Sequence, residues 1–106
     1  APGGLSATDG GDLRARTGLQ GFAGEAPLDL VYVADFARMG MGGVEEKTFY
    51  SAADTGFVSQ NVYLCCAQEG LETVVRGWLD RPSLAKAMGL GPDHKIVLAQ
   101  TVGYPA

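Results

Sequence analysis

Apolar residues occupy both parities of LDLVYVADF, residues 28–36. Leu30, Tyr32 and Ala34 fall on one side of an extended chain, and Val31 and Val33 on the other. A segment apolar on both sides predicts a strand in the middle of a sheet. In RMGMGGVEEK, the glycines at 40, 42 and 43 predict a flexible loop. From about Val44 to Glu69 the apolar positions recur with a helical period, and Glu45 and Glu46 suit the positive end of the helix dipole. No charged side chain occurs from Thr55 to Gln68, while Phe57, Val58, Val62, Leu64, Cys65 and Ala67 run nearly all the way round. Such a helix requires protein on every side, and a second subunit or a further segment is the natural supplier. Gly70 is placed to end it.

LETVV then predicts a short strand. Asp80 caps a helix over residues 81–88, with Pro82 tolerated in its first turn and Lys86 near its end. GLGPDH is a turn, and KIVLAQTVGYP, residues 95–105, reads as a further strand, largely apolar on both faces. The order β–α–β–α–β predicts the α+β class, a mixed β-sheet with packed helices, or a small α/β sheet. Residues 1–27 are glycine-rich and read as an irregular segment, in which Leu13, Leu19 and Phe22 suggest a helical turn or two. Residues 28–106 carry the folded portion.

Composition narrows the function classes. The chain has 106 residues, 46% of them hydrophobic and 19% charged, which suits one globular domain. Net charge is −4 and the eight basic residues are scattered, so no nucleic-acid footprint is present. No apolar run approaches the ~18–20 residues of a membrane span, and none is expected. Cys65 and Cys66 are adjacent, a poor geometry for a disulfide or a shared metal. They read as buried, reduced thiols, which favours a reducing, cytoplasm-like compartment.

Most enzyme templates find no support. His94, the sole histidine, lies in a GPDHK turn without a serine or cysteine elbow nearby, and reads as a solvated loop residue. The paired glycines at 3–4, 10–11 and 42–43 lack the strand-to-helix setting of a phosphate cradle. The bend in VVRGW, residues 74–78, is a better candidate. Where a strand ends, its N–H groups are left free to meet a ligand, and Gly77 removes the Cβ that would hold a flat ring away. Arg76 would add positive charge and Trp78 an apolar wall. A heteroaromatic that gains negative charge on reduction suits such donors. An ordinary strand-to-helix turn whose tryptophan fills core is the competing reading. Asp54, the charge flanking the apolar run on its N-terminal side, either lines a cavity or is solvated. Gln60 and Asn61 need partners if buried.

Residues 51–105, AADTGFVSQN through GLETVVRGWLD to VGYP, resemble the C-terminal half of the nitroreductase superfamily of FMN-dependent oxidoreductases, and APLDLVYVADF resembles the strand before it. The resemblance implies a partial nitroreductase-like α+β fold, in a homodimer with FMN at the interface. It implies that Val74, Val75, Arg76 and Gly77 lie against the isoalloxazine ring, with backbone N–H groups toward the nitrogen that accepts hydride. Asp54 would lie near the flavin. It also implies hydride transfer from NAD(P)H through FMN to a nitroaromatic, quinone or similar acceptor, without a dedicated catalytic side chain. The family's N-terminal arginine- and serine-rich phosphate motif is not found, since Arg14 and Arg16 come too late in the order. Either a missing N-terminal half or partner chain completes the site, or the chain is a flavin-free interaction module.

Overall fold

The computed structural model describes residues 27–105. Their order is a strand β1 (Leu28–Asp35), a 3-10 turn (Phe36–Arg38), a long helix α1 (Val44–Glu69), β2 (Glu72–Arg76), α2 (Arg81–Met88) and β3 (His94–Gly103). The three strands pair antiparallel in the order β1-β3-β2. The sheet and its packed helices are α+β, as the alternation of periods predicts. Apart from Pro27, the glycine-rich segment with Arg14 and Arg16 lies outside the described residues.

Helix ends follow local chemistry. Gly70 takes the left-handed conformation, φ 72°, and the Leu71 N–H reaches back to the Cys66 carbonyl at 2.8 Å, closing α1. Asp80 Oδ1 accepts from the Ser83 N–H at 3.2 Å to start α2, and Gly89, φ 70°, ends it. Replacing Asp80 with alanine is expected to cost about 1 kcal/mol of stability. A denaturation midpoint unchanged by the substitution would refute that role.

Two expectations are corrected. Among the described strands β1 lies at an edge and β3 is central. Apolar residues on both faces report that a strand is covered above and below, and say nothing of lateral neighbours. The adjacent cysteines divide: Cys66 is buried and Cys65 exposed, both as free thiols, because neighbouring helical side chains point about 100° apart.

On one side of the sheet, α2 covers a core of Leu79, Leu84, Ile96 and Ala99, with Val31, Ala85, Met88 and Leu90 around it. Ile96 and Ala99 are three residues apart on one strand and would ordinarily face opposite ways. The pairing supplies the reason: Tyr32 opposes Leu98 and Val33 opposes Ile96, so Val97 is an extra residue. That bulge turns Ile96 toward α2. Arg81 braces it, donating through Nε to the Ile96 carbonyl at 3.2 Å and through Nη2 to the Val97 carbonyl at 2.7 Å.

The other side is covered by α1, which buries small groups: Ser51, Thr55, Ser59 and Cys66. Their spacing makes one stripe that lets the helix approach the sheet closely. Val44, Phe49, Tyr50, Phe57, Val58 and Leu64 remain exposed. The apolar circumference read from the sequence is thus present, and most of it is uncovered by the described residues. Gln60 and Asn61 are exposed too. No helix among the described residues is long and apolar enough to cross a membrane.

Candidate functional site at the outer edge of β2

The segment singled out from the sequence divides between a strand and a bend. Val74, Val75 and Arg76 belong to β2, and the chain leaves the ladder only at Gly77. Val75 opposes Gln100, and its N–H donates to the Tyr63 hydroxyl of α1 at 2.8 Å. Successive antiparallel residues direct their N–H groups alternately toward and away from the neighbouring strand. Arg76 therefore faces β3 with its backbone, and the same alternation continued one residue past the ladder would put the Gly77 N–H on the edge that Val75 faces. The Leu79 N–H closes the bend on the Gly77 carbonyl at 3.1 Å. No described residue accepts from the Gly77 N–H. Gly77 is exposed, and Trp78 beside it is 61% exposed. The tryptophan therefore does not fill the described core, and the bend combines an open donor, no side chain and an aromatic surface.

The side chain of Arg76 goes elsewhere. Asp29, Thr101 and Val74 share a register row across the three strands, with Arg76 one row along on the same face. Arg76 Nη2 lies 3.2 Å from Asp29 Oδ1, and the two side chains are only 2% and 1% exposed. Thr101 Oγ1 donates to Asp29 Oδ1 at 2.6 Å and accepts from Arg76 Nε at 2.6 Å. The charge that sequence reasoning assigned to the bend is thus held inside, tying all three strands together. Nothing in the spacing of residues 29, 76 and 101 announces this; only the pairing register brings them together.

A second buried group lies beneath α1. Gln100 is fully buried, and its Oε1 accepts from the Tyr32 hydroxyl and from Ser59 Oγ at 2.9 Å. Burial raises the Tyr32 phenol above its ordinary 10.0; Ser59 offsets part of the rise, and Cys66 and Tyr63 add to it. The folded state therefore holds this proton more tightly than the unfolded chain does. The resulting stability is complete below about pH 10 and is lost as the pH climbs through the folded value. Tyr32→Phe is expected to flatten the alkaline limb of the stability–pH curve. A variant whose alkaline limb matches the parent would show that Tyr32 contributes nothing there.

Asp54 is exposed and does not join the bend. It precedes Tyr63 by nine helical positions, about two and a half turns, so the two lie on opposite sides of α1. Gly56 and Gln60 come round on the Tyr63 side instead, next to the open edge, a relation that helical phase alone reveals once Tyr63 is placed. His94 starts β3, not a free turn. Its Nδ1 accepts from the Gly91 N–H at 3.1 Å, and its Nε2 lies 3.6 Å from Asp35 Oδ2, which braces the strand start. No group of three or more metal-ligating side chains occurs among the described residues.

FMN offers two parts to recognise. The planar ring fits the Gly77 edge, where an N–H is open and no Cβ intervenes. The phosphate finds no arginine already free for it among the described residues. Arg76 is engaged by Asp29, Arg81 by the bulge carbonyls, and Arg38 Nε lies 3.5 Å from Asp35. The bend thus has room for a planar ring, while these three arginines are already committed elsewhere.

Three solved structures resemble this chain over most of its length. A Ralstonia eutropha protein described as a nitroreductase is 48% identical, with a TM-score of 0.81 over 90% of this chain and 45% of its own. A nitroreductase family protein of Streptococcus pneumoniae, 13% identical, reaches a TM-score of 0.78 over 94% of this chain and 67% of its own. A Clostridium acetobutylicum protein described as an NADH oxidase, 22% identical, reaches 0.71 over 94% of this chain and 61% of its own. The last two matches concern the fold alone. No curated protein matches significantly. The chain spans less than half the length of the Ralstonia protein. The family model for nitroreductases matches residues 5–104, and the chain therefore belongs to the nitroreductase family.

Proposed function

We propose that this chain supplies the ring-side part of an FMN-dependent oxidoreductase, completed by a further N-terminal part or by a second polypeptide. The observation that carries the proposal is the Gly77 edge: an outward N–H with no described acceptor, in a family member, at a residue without a side chain. When bound, FMN supplies the redox chemistry, taking hydride from NAD(P)H and passing it to a nitroaromatic, quinone or similar acceptor. The chain's own part is to hold that ring. The Gly77 N–H donates to the ring edge that gains electron density, and such a donor is already oriented before the reaction. Trp78 offers an apolar surface that excludes water beside it. Val74, Val75 and Arg76 contribute through their backbone, which fixes where Gly77 sits.

The uncovered apolar residues of α1 favour an assembly that includes more protein than the described chain, either a second copy or the missing part. The test is direct. Protein purified with any associated polypeptide should be yellow, should consume NADH or NADPH when given a nitroaromatic, and should melt at a higher temperature with added FMN. Colourless protein whose melting temperature ignores FMN overturns the proposal in favour of a flavin-free interaction module.

A further inference from the structure

We infer that Tyr63 is a positioning residue of this site, acting through the backbone of β2. The inference rests on the flavin reading above and adds a residue to it. An edge strand exposes a row of outward N–H groups, and any of them competes for a planar ligand with acceptor atoms. The Val75 N–H lies on that edge of β2, and the alternation continued past the strand end would bring the Gly77 N–H to it two residues later. Tyr63 removes the first from competition by accepting its hydrogen at 2.8 Å. Next to the bend, that leaves the Gly77 N–H as the open donor; the Thr73 N–H, of the same parity as Val75, lies farther back along β2.

The arrangement also determines where the strand edge sits. Tyr63 is half-buried in a helix whose Ser59, one turn earlier, is anchored to Gln100 of the central strand at 2.9 Å. The phenol thus pins Val75 to a helix that is itself pinned to β3, and the position of Gly77 follows. On the same side of α1, Gly56 has nothing within 4 Å of where a Cβ would stand, so the helix presents open space there. Phenylalanine at position 63 would keep the ring but remove the acceptor that holds the Val75 N–H to α1. The hydroxyl, not the ring, is therefore what the site requires.

Tyr63→Phe tests this in the protein as purified, with Tyr32→Phe as a control that removes a different hydroxyl. Amide exchange of the FMN-free protein reads the positioning without any cofactor. The expected result is faster exchange at Val75 in Tyr63→Phe and not in Tyr32→Phe. In FMN titration the same variant should bind three- to tenfold more weakly, about the effect of one net hydrogen bond. Its visible flavin spectrum should shift, whereas loss of general stability alone would leave the spectrum of bound flavin unchanged. Parent protein that binds FMN, with parental affinity and spectrum in Tyr63→Phe, overturns the role of Tyr63 and leaves the flavin reading standing. Parent protein that binds no FMN overturns both. Should Tyr63→Phe fold poorly, Gly56→Val enters the same open side without touching the Val75 bond. It should weaken FMN binding with Val75 exchange unchanged, and parental FMN binding in that variant counts against the placement of the site.

Discussion

Replacing Asp29 by alanine is expected to cost about 3–5 kcal/mol, the usual penalty for removing one member of a buried ion pair. The Arg76 guanidinium would remain inside the sheet, 2% exposed, facing a space where its carboxylate had been. Thr101 would lose its acceptor at the same time. Total stabilities of single domains are about 5–15 kcal/mol, so much of the folded margin would go. Urea denaturation checks this: the midpoint should fall markedly while the slope is unchanged. Replacing the pair together, as Asp29→Leu with Arg76→Met, should restore most of the loss, because apolar groups of similar volume carry no desolvation cost. The coupling read from the double-mutant cycle then isolates the pair. A loss below about 1 kcal/mol for Asp29→Ala, the range of a solvated surface pair, would mean that Asp29 is not what holds the Arg76 charge in the sheet.

Gly77→Val is expected to separate binding from folding. Gly77 does not adopt a positive φ, and a Cβ built there meets only Leu98 Cδ2, at an ordinary 3.5 Å. The fold should therefore accept the substitution with little change in melting temperature. A planar ring approaching the Gly77 N–H would meet the new methyl groups, and FMN affinity should fall by tenfold or more, about 1.4 kcal/mol per decade. Gly77→Ala should fall between the parent and the valine variant. Were Gly77→Val to unfold the protein and leave residual FMN binding as in the parent, the bend would be a structural turn and the site would lie elsewhere.

The two predictions differ in how much of them was legible beforehand. Gly77 stands out in one dimension, as a glycine where a short strand meets a helix cap. Arg76 stands out as well, but where its charge goes is not local, because a strand alternates its side chains. The residue adjacent to an open edge points its side chain toward one face of the sheet, and what awaits it there comes from residue 29. The residues around Asp54 leave its role open and only the family resemblance puts it near a flavin; in the described chain, helical phase sets it on the side of α1 away from Tyr63. Tyr63 is not legible in the sequence, because one aromatic in an apolar helix carries no mark of a hydrogen bond to a backbone amide twelve residues away.

By itself the sequence determined the elements: α1 from Val44 to Glu69, α2 from its Asp80 cap to Gly89, and three strands between turn residues. These follow from interactions within a few residues, namely side-chain periodicity, capping and the left-handed glycines. It also determined the family, because the motifs of residues 51–105 are local strings. Tertiary structure alone decided that β3 is central, that a bulge at Val97 turns Ile96 toward α2, and that Asp29 meets Arg76 across three strands. Each of these depends on pairing register, and a shift of one residue would reverse the faces of every partner. Register is a property of two segments together, so neither segment carries it alone.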